Sequence, residues 1–380
     1  MARHVSSDSM MRTISTWLPL FMATACCLCP AARSAGGCKY PAVFNFGDSN
    51  SDTGGFYAAF PAQQGPFGMT YFRRPAGRAS DGRLVIDFIV QAMGLPLLSP
   101  YLQSVGSDYR HGANFATMAS TALQPNTSLF VTGTSPFYLA VQLNQMKELR
   151  NRVITSSGNK GQLPPSDIFG QALYTIDIGQ NDYTSNLGSL GVETVKQSLP
   201  SVVNQITWTI QDLYNNGARN FLVFNMAPVG CYPAFLTKLP HSSSDLDEYG
   251  CMKTYNSGVV YYNELLKNGL AEVRKKLQDA SIVYADKYTV MLELFQHPSA
   301  HGLKYGTRAC CGYGGGAYNY NADVNCGASK VLNGQTATAG ACEDPQNYVS
   351  WDGIHATEAA NQIIASAVTG SYSYPKLCSP

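Results

Sequence analysis

Charge is scarce in this sequence. Only 13% of its 380 residues are Asp, Glu, Lys or Arg, about half of the roughly 25% usual in a globular chain. The 26 basic residues are balanced by 25 acidic ones. Without a basic patch or stripe there is no electrostatic footprint for nucleic acid, so such a partner is not expected. Metal ligands are not gathered either. Beyond residue 34 no CxxC pair occurs, and the histidines are scattered, which speaks against zinc. His297 and His301 have ligand-like i,i+4 spacing, but Pro298 interrupts a helix there. No run reaches the ~18 apolar residues of a membrane span. The lipase-type elbow GxSxG is missing too, which disfavours that fold. Internal repeats and long linkers are also absent.

Hydrophobic residues make up 45% of the chain, enough for a sizeable core and against disorder. With so few charges, the surface must be built from Ser, Thr, Asn, Gln, Gly and Tyr, which suits neutral polar ligands such as sugars. Near the start, Arg3, His4 and Arg12 precede an apolar run over 17–29, and Ala32-Arg33-Ser34 fits a small-x-small cleavage site. This pattern predicts a signal peptide at 1–34 and one domain over 35–380. Eight cysteines remain after it: Cys38, Cys231, Cys251, Cys310, Cys311, Cys326, Cys342 and Cys378. An even number in a secreted chain reads as disulfides. Cys231 with Cys251 would close a local loop, and Cys310, Cys311, Cys326 and Cys342 would staple one region among themselves. Asn126-Thr127-Ser128 is the one glycosylation sequon. Secretory entry leaves both the cell wall and the Golgi as destinations, and leaves the oligomeric state open.

Short apolar runs at 42–47, 113–117, 172–179, 220–228 and 281–286 read as buried strands. Helical segments lie between them at 84–93, 139–153, 193–216 and 255–278, and a last one covers 357–369. Strand–helix alternation with continuously apolar strands predicts a mostly parallel, five-stranded sheet covered on both faces, an α/β three-layer domain. Two stretches resist this pattern. Residues 58–82 carry Gly, Pro, aromatics and Arg73, Arg74 and Arg78; residues 304–345 are rich in Gly, Tyr, Asn and Cys. Ordered loops of this length are usually functional, and stapled surface coil is the competing expectation.

Three loop motifs can carry chemistry. Phe46-Gly47-Asp48-Ser49-Asn50 follows the first strand and can expose a serine hydroxyl at the sheet's C-terminal edge. Gly179-Gln180-Asn181-Asp182 follows the third strand, where an Asn amide can donate to an oxyanion. Trp351-Asp352-Gly353-Ile354-His355 sets an Asp and a His three apart, so that the carboxylate can orient the imidazole as a base. Taken singly, each motif reads as well as a helix cap or Asx-turn.

Together, in this order, they resemble the blocks of the GDSL, or SGNH, hydrolase family, over about residues 40–369. The plant type is similar in more detail. Gly68-Met69-Thr70-Tyr71-Phe72, Gly77-Arg78-Ala79-Ser80-Asp81-Gly82-Arg83, Ile86-Asp87-Phe88, Asn225-Met226-Ala227-Pro228-Val229-Gly230-Cys231 and Cys310-Cys311-Gly312 all fit. Gly47-Asp48-Ser49-Asn50-Ser51-Asp52-Thr53-Gly54-Gly55 looks like the branch of early-nodulin-type esterases and carbohydrate acetylesterases. The resemblance implies a flavodoxin-like three-layer fold, no cofactor, and a serine esterase with Ser49 as nucleophile, His355 as base and Asp352 orienting it. The implied oxyanion donors are the Ser49 amide, a block-two amide and Asn181. At block two the family usually has glycine where this chain has Ala119, which is costly only if that position needs positive φ. The implied substrate is an ester, foremost O-acetyl on wall polysaccharide or a plant glycoside. An acyltransferase, a lipase for longer acyl chains and a catalytically weak glycan-binding protein are the other readings.

Overall fold

The five apolar runs form parallel strands in a computed structural model that describes residues 40–126, 133–156 and 161–377. They are β1 (Val43–Gly47), β2 (Gly112–Asn114), β3 (Leu173–Asp177), β4 (Asn220–Phe224) and β5 (Ser281–Ala285). Almost every residue in them is buried, because helices cover both faces. On one face lie helices Leu139–Thr155, Leu199–Asn215 and Lys253–Lys276; on the other lie Val85–Ala92, Lys287–Gln296 and Glu358–Thr369. The stripe Leu139, Leu143, Met146, Leu149 and Val153 is buried as its helical spacing requires. Each such large apolar side chain contributes roughly 1.5–3 kcal/mol by leaving water.

Downstream, β6 (Tyr305–Ala309) pairs with β9 (Tyr348–Ser350), and β7 (Ser329–Leu332) forms a hairpin with β8 (Gln335–Thr338). The expected five-stranded sheet gains a sixth member, β10 (Ser373–Tyr374), antiparallel on β5. The sheet order is β10-β5-β4-β3-β1-β2. The second difference from expectation is at 193–216, which is not one helix but two, Val192–Lys196 and Leu199–Asn215. Pro200 explains the break. It has no N–H to give to a preceding turn, so it starts a helix and cannot continue one.

Both sheet edges are closed early. At one end, Arg274 Nη2 donates to the Tyr374 carbonyl on the two-residue β10 (3.0 Å). At the other, Ser99–Tyr101 runs beside β2: the Asn114 N–H reaches Ser99 O, the Tyr101 N–H reaches Asn114 O, and Pro100 bridges Asn114.

Three disulfides lie among the described residues: Cys231–Cys251, Cys310–Cys342 and Cys311–Cys326. The first closes the expected local loop, and the other two staple the region after β6. Cys38, Cys378 and the segment 1–34 lie outside the described residues. Residues 36–380 make one compact unit.

The strand order reverses direction between β1 and β3. Their C-terminal ends therefore diverge into a crevice, where ligands bind in open α/β sheets. The loops after β1, β2 and β3 all open there.

Candidate active site

The turn after β1 is held from beneath by buried polar side chains. The Gln142 side chain grips the Gly47 backbone twice, accepting from its N–H (2.9 Å) and donating to its carbonyl (2.8 Å). A chain of side-chain hydrogen bonds crosses three strands. Thr175 donates to Asn45 Oδ1, Asn45 donates to Asn114 Oδ1, and Asn114 Nδ2 donates to Ser51 O and Thr53 Oγ1. Unpaired, each such group would cost about 1–3 kcal/mol; paired, they hold the turn in one position. Ser49 stands on that turn and is 7% exposed.

Its partner arrives from β9. In the turn Trp351–His355 the Trp351 N–H donates to His355 O (2.7 Å). Asp352 Oδ1 accepts from the N–H groups of Ile354 and His355 (3.0 and 2.9 Å). Asp352 Oδ2 lies 2.7 Å from His355 Nδ1, and His355 Nε2 lies 2.8 Å from Ser49 Oγ. With Nδ1–H donating a hydrogen bond to the carboxylate, Nε2 is left to accept from the serine hydroxyl. Burial opposes charge on both groups, but the attraction and hydrogen bond between them win. The imidazole is thereby raised above its ordinary value and the carboxyl lowered below its own. The stapled loop secures this turn from outside: the Cys310 N–H donates to Ser350 O (3.0 Å) and the Cys311 N–H to Trp351 O (2.6 Å).

Ala119 has φ +60°, in the left-handed region that favours glycine. Among the described residues its N–H has no partner, while its carbonyl accepts from Ser135 N–H (2.9 Å). Asp52 ties this loop to the turn that carries Ser49. Its carboxylate accepts from the N–H groups of Gly54, Gly55, Phe56 and, across the gap, Met118 (2.6–3.1 Å). Asn181 lies in the first turn of the short helix Gln180–Thr184, and its Nδ2 donates to Ser120 O (2.9 Å), leaving a second N–H. Asp182 beside it accepts from the Ala122 and Leu123 N–H groups. Gly179, at φ +112°, lets the chain pass Tyr262, whose hydroxyl would lie 2.5 Å from any Cβ there. The loops after β1, β2 and β3 are thus stitched into one floor.

A second polar layer lies below. Lys287 pairs with Asp177 (2.5 and 2.8 Å), both nearly buried. Asp48 is fully buried; Oδ1 accepts twice from Asn50, while Oδ2 has no partner among the described residues. Burial first, then the Asp177 carboxylate, push Asp48 up to about 6. Burial pushes Asp182 up to about 7.

The structure brings Ser49, Asp352 and His355 into contact and sets Ala119 and Asn181 on the adjoining loops. Asn126 is exposed, and the rest of its sequon lies outside the described residues. No group of three His, Cys, Asp or Glu side chains fit to hold a metal occurs among the described residues. Asp52, Gln142, Asn45 and Asn114 are absent from the sequence-based expectation. For Asn45, a signal existed: a lone amide inside the apolar run Val43–Gly47.

A family profile described as GDSL-like Lipase/Acylhydrolase matches residues 43–368. A GDSL esterase/lipase of Arabidopsis thaliana is 59% identical over 353 residues, covering 90% of this chain and 92% of its own. The GDSL esterase/lipase ENOD8 of Medicago truncatula is 44% identical, covering 92% of both chains. A protein named alpha-L-fucosidase 3, also from Arabidopsis thaliana, is 44% identical, covering 86% of this chain and 89% of its own. At these identities and coverages, the chain belongs to the GDSL-like lipase/acylhydrolase family.

Proposed function

We propose that the chain is a secreted serine esterase that removes small acyl groups, foremost O-acetyl, from a cell-wall polysaccharide or plant glycoside. The observation that carries this reading is the unbroken relay from Ser49 Oγ through His355 to Asp352. Ser49 Oγ bonds to the ester carbonyl carbon as its proton passes to His355 Nε2. The Ser49 and Ala119 N–H groups and the free N–H of Asn181 receive the developing oxyanion. The C–O bond to the alcohol breaks, and the imidazolium gives its proton to the departing oxygen. A water deprotonated by the same nitrogen then attacks the acyl-serine, releasing the acid and restoring Ser49. No cofactor enters these steps. The apolar run near the start, the sequon at Asn126 and the cystines support passage through the secretory pathway.

The fucosidase-named relative raises glycoside cleavage as a second reading. That reaction ordinarily uses two carboxyl groups flanking the sugar bond. Here Asp352 is committed to His355, while Asp48, Asp52 and Asp182 are turned inward, each onto backbone N–H groups. The geometry favours the ester.

Acetate release from acetylated xylan and from 4-nitrophenyl acetate tests the proposal. A folded Ser49→Ala variant should lose at least ~10³-fold in turnover. Release from neither substrate by the wild type, or equal release by the variant, would overturn it.

A further inference from the structure

Beside the nucleophile turn lies an open cleft of ≈ 550 Å³, within the ~300–1,000 Å³ range of ligand sites. The relay does not use it. Its walls are the short helix Gly55–Ala59, which starts six residues after Ser49, the segment 72–78 and the segment 97–103. The first two touch. Arg78 Nη1 donates to Thr53 O (2.9 Å), and a Cβ on Gly77, at φ +78°, would lie 2.3 Å from Gly54 Cα. Burial raises the Tyr57 phenol above its ordinary value, against a hydrogen bond with Gln63 that lowers it.

The lining mixes the rings of Tyr57 and Phe72 and the apolar Leu97, Leu98 and Pro100 with the Gln63 and Gln103 amides and the Arg74 guanidinium; Gln63 accepts from Gly77 N–H and donates to Arg78 O, and Gln103 donates to Val105 O. Neither Arg74 nor Arg73 beside it is ion-paired among the described residues, unlike the two arginines that follow. Arg78 is paired with Asp87 and Arg83 with Glu358, and both also lie over aromatic rings. Arg74 is exposed and has no carboxylate partner among the described residues. In a chain with so few charges, an unpaired guanidinium at a cleft beside the nucleophile is a specific feature. Its planar fork matches a carboxylate. The flat rings of Tyr57 and Phe72 suit the faces of sugar residues, and the guanidinium suits an acidic one.

We infer that this cleft binds a uronic-acid residue of the polysaccharide that carries the ester, with Arg74 receiving the uronate carboxylate. This deepens the esterase reading and rests on it. The preferred substrate is then an acetylated acidic polysaccharide, not a neutral one.

The test compares acetylated oligogalacturonide with acetylated xylooligosaccharide, using 4-nitrophenyl acetate as the measure of the relay itself. Wild type should favour the acidic oligomer, and the preference should shrink as added salt shortens the screening length from ~10 Å at 0.1 M towards ~3 Å at 1 M. Arg74→Gln should lower kcat/KM on the acidic oligomer, relative to the small ester, by about tenfold, with Arg74→Lys recovering part of it. Equal use of both oligomers by the wild type, or an unchanged ratio in Arg74→Gln, overturns the inference. If the wild type cleaves no ester, the esterase reading fails. The cleft is then judged by calorimetric titration with unacetylated oligogalacturonide, where binding that Arg74→Gln weakens upholds it and no binding overturns it.

Discussion

Ala119 combines a position proposed to hold the oxyanion with a residue poorly suited to its backbone. A left-handed alanine costs ~1–2 kcal/mol, and glycine would return part of that through its freer unfolded chain. Ala119→Gly should therefore stabilise the fold by about 1 kcal/mol and raise Tm by about 2 °C, read by thermal unfolding. Because the amide is the same in both residues, ester turnover should survive the change. The residue was legible as a departure at block two, but its φ of +60° was not. Ser49, Asp352 and His355 were legible because three short motifs had to occur together and in order. Asn45, Asn114 and Gln142 were not, because what they do depends on partners up to 130 positions away along the chain.

Among the elements, β1 to β5 could be read because strands buried on both faces must be apolar throughout. β10 escaped because two residues, one of them the exposed Tyr374, make no such run. The stapled loop of 304–345 was ambiguous between surface coil and cleft wall. Its place is now explicit: two adjacent half-cystines hold the backbone of Ser350 and Trp351, just ahead of His355. Cystines closing loops of 15 and 32 residues restrict the unfolded chain by roughly 3 kcal/mol each. Replacing Cys310 and Cys342 together by serine should lower Tm by several degrees. It should also reduce kcat at temperatures where circular dichroism still reports a folded chain. Loss of activity only in step with unfolding would show that the loop does not steady His355.

For the whole molecule, activity and stability should respond oppositely to pH. Asp48 at about 6 and Asp182 at about 7 bind protons in the fold that the unfolded chain has already released above its ordinary carboxylate value. The stability they contribute is complete below about pH 4 and fades as pH rises through their folded values. His355, also raised, loses its contribution in the same direction. Asp352 is lowered, so its opposite effect falls below its ordinary value and outside this window. Tm should therefore be higher at pH 5 than at pH 8. The kcat/KM for a small ester should instead climb over that interval as His355 becomes neutral. Parallel melts and initial rates across buffers of constant ionic strength check both halves.

The two ends of the sheet bear on how such a chain avoids pairing with its own copies. An open strand edge is a template on which another copy can add its own backbone. On the β5 side that template is covered by two residues of β10, whose Tyr374 carbonyl already accepts from Arg274. On the β2 side Pro100, which has no N–H to offer a newcomer, lies against the last residue of the strand. Copies brought close together would thus meet blunt ends, which offer little backbone on which one sheet could lengthen into another.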